Sequence, residues 1–111
     1  MKKSFLLLLL AVGVALAVAA KEASPKGTIH PPRNTKTVDL PALAKISFAQ
    51  ALANAVAAEP GTVVKAELEI EDRCLMYSFE IVGTDRKLTE VEIDAGDGSV
   101  LGKEDGENDK D

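Results

Sequence analysis

The chain has 111 residues, with 13 basic and 18 acidic side chains, a net charge of −5 and 46% hydrophobic residues. That length allows one domain at most, and an apolar N-terminal run inflates the hydrophobic share, so the folded part is smaller than the chain. The acidic balance argues against nucleic acid, which calls for a basic face that displaces counterions from phosphates, and against adhesion to anionic lipid.

Lys2 and Lys3 precede an apolar run from Phe5 to Ala20, which breaks into Lys21-Glu22. A charged segment followed by an apolar one has the build of a signal peptide, expected over residues 1–20. Ala17-Val18-Ala19 supplies the small-x-small pattern a signal peptidase accepts, which places cleavage after Ala19 or Ala20. The rival is a retained membrane anchor. Roughly 16 residues rising 1.5 Å each span about 24 Å, short of the ~30 Å hydrocarbon core. The expectation is therefore a periplasmic or secreted protein with no stable membrane insertion after cleavage. Without Lys2 and Lys3, 11 basic residues face 18 acidic ones, and the mature chain is more acidic still. Cys74 is the single cysteine, so no disulfide can staple the fold to itself.

Residues 21–45 hold Pro25, Pro31, Pro32 and Pro41. Proline removes donors and disfavours helix before it, so this stretch reads as a linker. Its bases Lys21, Lys26, Arg33, Lys36 and Lys45 outnumber Glu22 and Asp39, which would let it lie against an acidic domain; a solvated tether is the simpler reading. His30 lies here without the second histidine or cysteine pair that a metal site calls for.

Ser47 with Gln50 makes a capping box, and Phe48, Ala51, Leu52, Ala55 and Val56 form one apolar stripe of a helix that Pro60-Gly61 ends. If Asp72-Arg73 form a two-residue turn, Ile70 faces Leu75, Leu68 faces Tyr77, Ala66 faces Phe79 and Val64 faces Ile81. Every pair is apolar. The alternate set, Lys65, Glu67, Glu69 and Glu71 against Glu80, Ser78, Met76 and Cys74, belongs to a wet face. In the third strand Thr89, Val91, Ile93 and Ala95 point inward, because Glu90, Glu92 and Asp94 are costly to bury unpaired. Parity then requires an odd loop, residues 83–85 or 83–87. A turn at Gly96-Asp97-Gly98 returns Ser99-Val100-Leu101 as a short edge strand. The predicted fold is α+β, one helix on a three- to four-stranded antiparallel meander over residues 46–102, followed by a disordered acidic tail, residues 103–111.

These motifs resemble the PepSY domain family, named for peptidase propeptides and YpeB-type proteins. The resemblance rests on the I-S-x-x-x-A helix start, the P-G break, E-L-E-x-E-D, Y-x-x-E-I and the closing V-E-I-D-A-x-x-G-x-V-L. Ile46, Ala51, Gly61, Glu67, Leu68, Glu69, Tyr77, Glu80, Ile81, Asp94, Ala95, Gly98, Val100 and Leu101 carry it. Arg73 departs from it, standing where the family often has a turn glycine. The resemblance implies a non-catalytic module and a role in inhibiting or regulating a peptidase, a transfer by analogy.

Chemistry-bearing patterns are weak. Gly98 to Lys103 is one residue short of a phosphate-binding loop and lacks its final Ser or Thr, and Asp94 to Gly98 lacks the alternate oxygen ligands of a calcium loop. Asp94 and Asp97 read as turn formers and Cys74 as an inert edge thiol, with an intermolecular disulfide as the alternative. No cofactor, catalytic group or metal set is expected. The surface left over is an acidic sheet face carrying three apolar residues: Glu67, Glu69, Met76, Glu80, Val82, Leu88, Glu90 and Glu92. It would suit an exported peptidase or another envelope protein as partner, and an open sheet edge would suit a homodimer. Two functions follow, a protein-binding regulator or an acidic calcium-type cation binder whose outer face and tail act loosely. The plainest alternative is that these acids only keep a wet face soluble.

Overall fold

The computed structural model describes residues 26–106; the expected signal peptide and the last five residues of the tail lie outside them. A 3-10 turn at Thr37–Asp39 leads into a short helix α1 (Leu40–Leu43), then α2 (Phe48–Ala58) and four strands. The strands are β1 (Gly61–Glu71), β2 (Cys74–Gly83), β3 (Leu88–Asp94) and β4 (Val100–Asp105), in the order β1-β2-β3-β4 and all antiparallel. The α+β expectation holds, with four strands. Among the described residues no single helix is long and apolar enough to cross a membrane.

Helix α2 begins where the capping box predicts. The Gln50 backbone N–H donates to Ser47 Oγ at 3.1 Å, and the Ser47 N–H donates to Gln50 Oε1 at 2.9 Å. Ala51 and Ala55 are fully buried, so their small side chains let the helix sit close on the sheet. Phe48 is less enclosed than its place in the stripe implied. It is 49% exposed, with its ring against Tyr77 and Phe79 at centroid distances of 6.2 and 5.7 Å. The core proper is Leu75, Tyr77, Phe79 and Ile81 of β2 with Val91 and Ile93 of β3. The Tyr77 hydroxyl donates to the Ile46 carbonyl at 3.0 Å, tying the sheet to the start of the helix.

The first hairpin has the expected register at Ile70/Leu75, Leu68/Tyr77 and Ala66/Phe79. Val64 does not face Ile81. A bulge between Val63 and Lys65 gives that place to Val63 and leaves Val64 58% exposed, because two residues of β1 there oppose one of β2. Asp72 and Arg73 both adopt left-handed conformations, with φ of 51° and 65°. Thr89, Val91 and Ile93 face Ile81, Phe79 and Tyr77, and the last pair, Val82 with Leu88, makes the connection the longer odd one, residues 83–87, of which Gly83 still pairs with β1.

Three expectations change. Residues 26–45 are not a free tether. Leu40 is buried, Ile29, Leu43 and Ala44 pack on the core, and the Leu75 N–H donates to the Ile29 carbonyl at 3.0 Å. Proline-rich sequence disfavours regular structure but does not prevent apolar residues between the prolines from docking. Nor is the tail free from residue 103. Lys103–Asp105 continue β4, where backbone pairing to β3 outweighs polar composition, and Lys103 Nζ donates to the Ala58 carbonyl at 2.9 Å. A cation there suits the carbonyl end of α2. Finally, the outer face is not wet throughout, since Cys74, Met76, Ser78 and Asp94 are all buried. Met76 lies between Glu69 and Asp94, and Ser78 between Glu67 and Glu92, so both sit on a middle strand with neighbours on either side.

Candidate functional site

The outer face divides into two parts. At one end, Gly27 and Thr28 cross the sheet where β3 stops. The Gly27 N–H donates to Cys74 Sγ at 3.2 Å. Asp94, fully buried, accepts from four donors: the Thr28 N–H at 3.0 Å, the Thr28 hydroxyl at 2.6 Å, the Gly96 N–H at 3.2 Å and the Asp97 N–H at 2.9 Å. Burial alone would raise the Asp94 carboxyl, but the bonds from Thr28 and Asp97 outweigh it and hold it below its ordinary value. Asp97 accepts from the Ser99 N–H and hydroxyl at 2.9 and 2.7 Å. Gly98 sits at φ 79°, a left-handed conformation that glycine adopts without strain, and a Cβ there would require Asn54 Nδ2, 2.8 Å away, to shift. Asp94 and Asp97 thus serve the turn.

At the other end carboxylates crowd together around one lysine. Lys65, Glu67, Glu69, Glu71, Ser78, Glu80, Glu90 and Glu104 line an open concavity of about 500 Å³. Register explains the crowding. Glu80 faces Glu90, and Glu90 faces Glu104, so three strands place an acid in one row. Glu69, Glu71 and Glu90 each offer an oxygen within 4.8 Å of the others, and so do Glu90, Glu92 and Glu104. Lys65 pairs with Glu67 at 3.2 Å. Glu92 is pushed up to about 7, first by burial, then by the charge and hydrogen bond of Glu71 and by Glu104 and Glu90. Glu90 is raised as well, by burial and then by Glu104, Glu71, Glu69 and Glu80.

Of the expected partner surface, Glu67, Glu69, Glu80, Glu90 and Glu92 come together on this face, and Val82 and Leu88 pair across β2 and β3 as half-buried neighbours. Met76 is 3% exposed and presents nothing to a partner. Cys74 is neither an edge thiol nor open to another chain, being 1% exposed at the start of an inner strand. His30 lies among Pro31, Pro32, Arg33, Ile70 and Arg73, away from the carboxylate groups. Sequence reasoning missed Ser78 and Glu104. Alternation marks Ser78 as outward but carries no sign of its covering, and Glu104 was hidden by assigning the tail to disorder.

The family model for the peptidase propeptide and YPEB domain, PepSY, matches residues 45–104, which holds α2 and nearly all of the sheet. No curated protein and no solved structure matches the chain. The docked segment from Gly27 to Ala44 precedes the matched region yet supplies Thr28 to its most specific motif, the Asp94 turn. With more than half of its length matched, the chain belongs to the PepSY family of peptidase propeptide and YPEB domains.

Proposed function

We propose that the chain is an exported, non-catalytic binding module that regulates or inhibits a peptidase or another envelope protein. The family match over residues 45–104 carries this reading. The Asp94 and Asp97 carboxylates, the Tyr77 hydroxyl and the Cys74 sulfur each already hold a bond within the fold, which supports a role without catalysis. The acids of the outer face would draw a partner with a basic surface, and Val82 with Leu88 would give it an apolar contact.

The test is to add the purified protein to the exported fraction of the producing cell and follow proteolysis of a general substrate such as casein. The expected result is a dose-dependent fall in peptidase activity, weakened by Val82→Lys and by Glu80→Lys. Unchanged proteolysis, with no exported protein whose capture drops in those two variants, would overturn the reading.

A further inference from the structure

We infer that the outer face of the sheet binds a hard divalent cation at Glu90, with Glu92 and Glu104 on one side and Glu69 and Glu71 on the other, above the buried hydroxyl of Ser78. This goes beyond a protein-binding role and stands on separate observations. Glu90 belongs to both three-carboxylate groups, whose oxygens lie within 4.8 Å of one another. Oxygens that share one calcium ion at about 2.4 Å are at most about 4.8 Å apart, so each group fits the span of a single coordination sphere.

Ser78 supplies the independent sign of a ligand. It is 8% exposed, and its Oγ has no hydrogen-bond partner among the described residues. Buried hydroxyls are normally paired. This one shares the lining of the concavity with Glu69, Glu71, Glu90 and Glu104, and its strand register puts it directly beside Glu92. A cation or its bound water above Ser78 gives the hydroxyl its missing partner and offsets the repulsion among the acids. The alternation of the strands keeps these acids on one face, and three strands contribute, so the arrangement is set by the sheet and not by one loop.

The donor set selects the class of ion. Both groups consist of carboxylate oxygens, with neither imidazole nor thiolate in either, which suits calcium, magnesium or manganese over zinc or copper. Long glutamate side chains around an open concavity tolerate an irregular shell, which favours calcium over magnesium, an ion that demands near-ideal octahedral geometry.

Calorimetric titration of calcium chloride into the purified protein near neutral pH, at constant ionic strength, tests the site, with magnesium and manganese chloride run alongside. The expected result is saturable one-site binding of calcium with a Kd on the order of 10⁻⁴ M, as for exposed extracellular sites. Glu90→Gln, which removes the ligand common to both groups, should weaken it by at least about tenfold, in line with loss of a charged ligand. Ser78→Ala should weaken it less, and Asp85→Asn, an equal loss of charge in the loop outside the cluster, should leave it unchanged. Should Glu90→Gln lose its far-ultraviolet circular dichroism, Glu104→Gln on the edge strand gives the same reading. Unsaturable heats with all three salts, saturable binding that survives Glu90→Gln, or equal weakening by Glu90→Gln and Asp85→Asn would each overturn the site. The last would mark diffuse attraction of counterions.

Discussion

Asp94 and Glu92 stand two residues apart on β3, on the same face of the sheet, in opposite circumstances. Asp94 is covered by Gly27 and Thr28 and accepts four hydrogen bonds, and its carboxyl is held below its ordinary value. Glu92 lies among Glu71, Glu90 and Glu104 and is lifted to about 7. Burial acts on both. What differs is the supply of donors, which the crossing segment and the turn after β3 give to Asp94. A buried acid with donors organises the turn that closes the domain, whereas one among other acids raises the energy of the face until a proton or another cation arrives.

Removing the satisfied acid should have the largest effect. Asp94→Ala strands the donors of Thr28, Gly96 and Asp97, and should cost on the order of 3 kcal/mol or more in urea denaturation, enough to unfold a small domain outright. A loss within the range of a surface substitution would break the contrast. Thr28→Val removes the side-chain bond alone and should cost about 1–2 kcal/mol by the same measurement. That result would also show that residues before the matched family region belong to the folding unit.

The other acid should show itself through pH. Glu92 binds its proton more tightly in the folded state than at its ordinary value of 4.5, so its contribution to stability is full below pH 4.5 and fades as pH rises through about 7. Asp94 works the other way. Its contribution is present above its ordinary value of 3.8 and is lost as pH falls through the lower folded value. Glu92→Gln should therefore melt higher than the parent at pH 8, with the gain vanishing near pH 4.5. After burial, the acids that add to this shift lie on β1, β3 and β4, so Glu71→Gln and Glu104→Gln should each reproduce part of it.

The smallest effect sharpens the contrast by separating charge from backbone strain. Arg73 holds φ at 65° in the first turn. Arg73→Gly should stabilise by up to about 1 kcal/mol without altering the pH profile, because relief of about 1–2 kcal/mol of left-handed strain outweighs the entropy a glycine adds to the unfolded chain.

Much of the fold was legible because alternation carries it. The Ile70/Leu75 and Leu68/Tyr77 pairs follow once Asp72-Arg73 is read as the turn, and the charges of Glu90 and Glu92 fix the phase of β3. The bulge at Val63/Lys65 was not legible, since Val63 and Val64 fit the inward place equally well by side chain and only the backbone count distinguishes them. Composition misled at both ends of the domain. Prolines hid the docking of Ile29 and Leu40, and a run of acids hid the pairing of Glu104 with Glu90. The candidate site was half legible. Its acids lay in view as an outward set, but the place of Glu104 beside Glu90 depends on β4 running beyond Lys103, and alternation alone does not tell that Ser78 is buried on that face.

Carboxyl carbon NMR, following Glu92 and Asp94 through a pH titration of the same sample, tests the difference between the two ends of the face most directly. Glu92 is expected to titrate near 7 and Asp94 below 3.8. If Glu92 titrates at its ordinary 4.5, the acids of the outer face are not held against one another and the contrast fails.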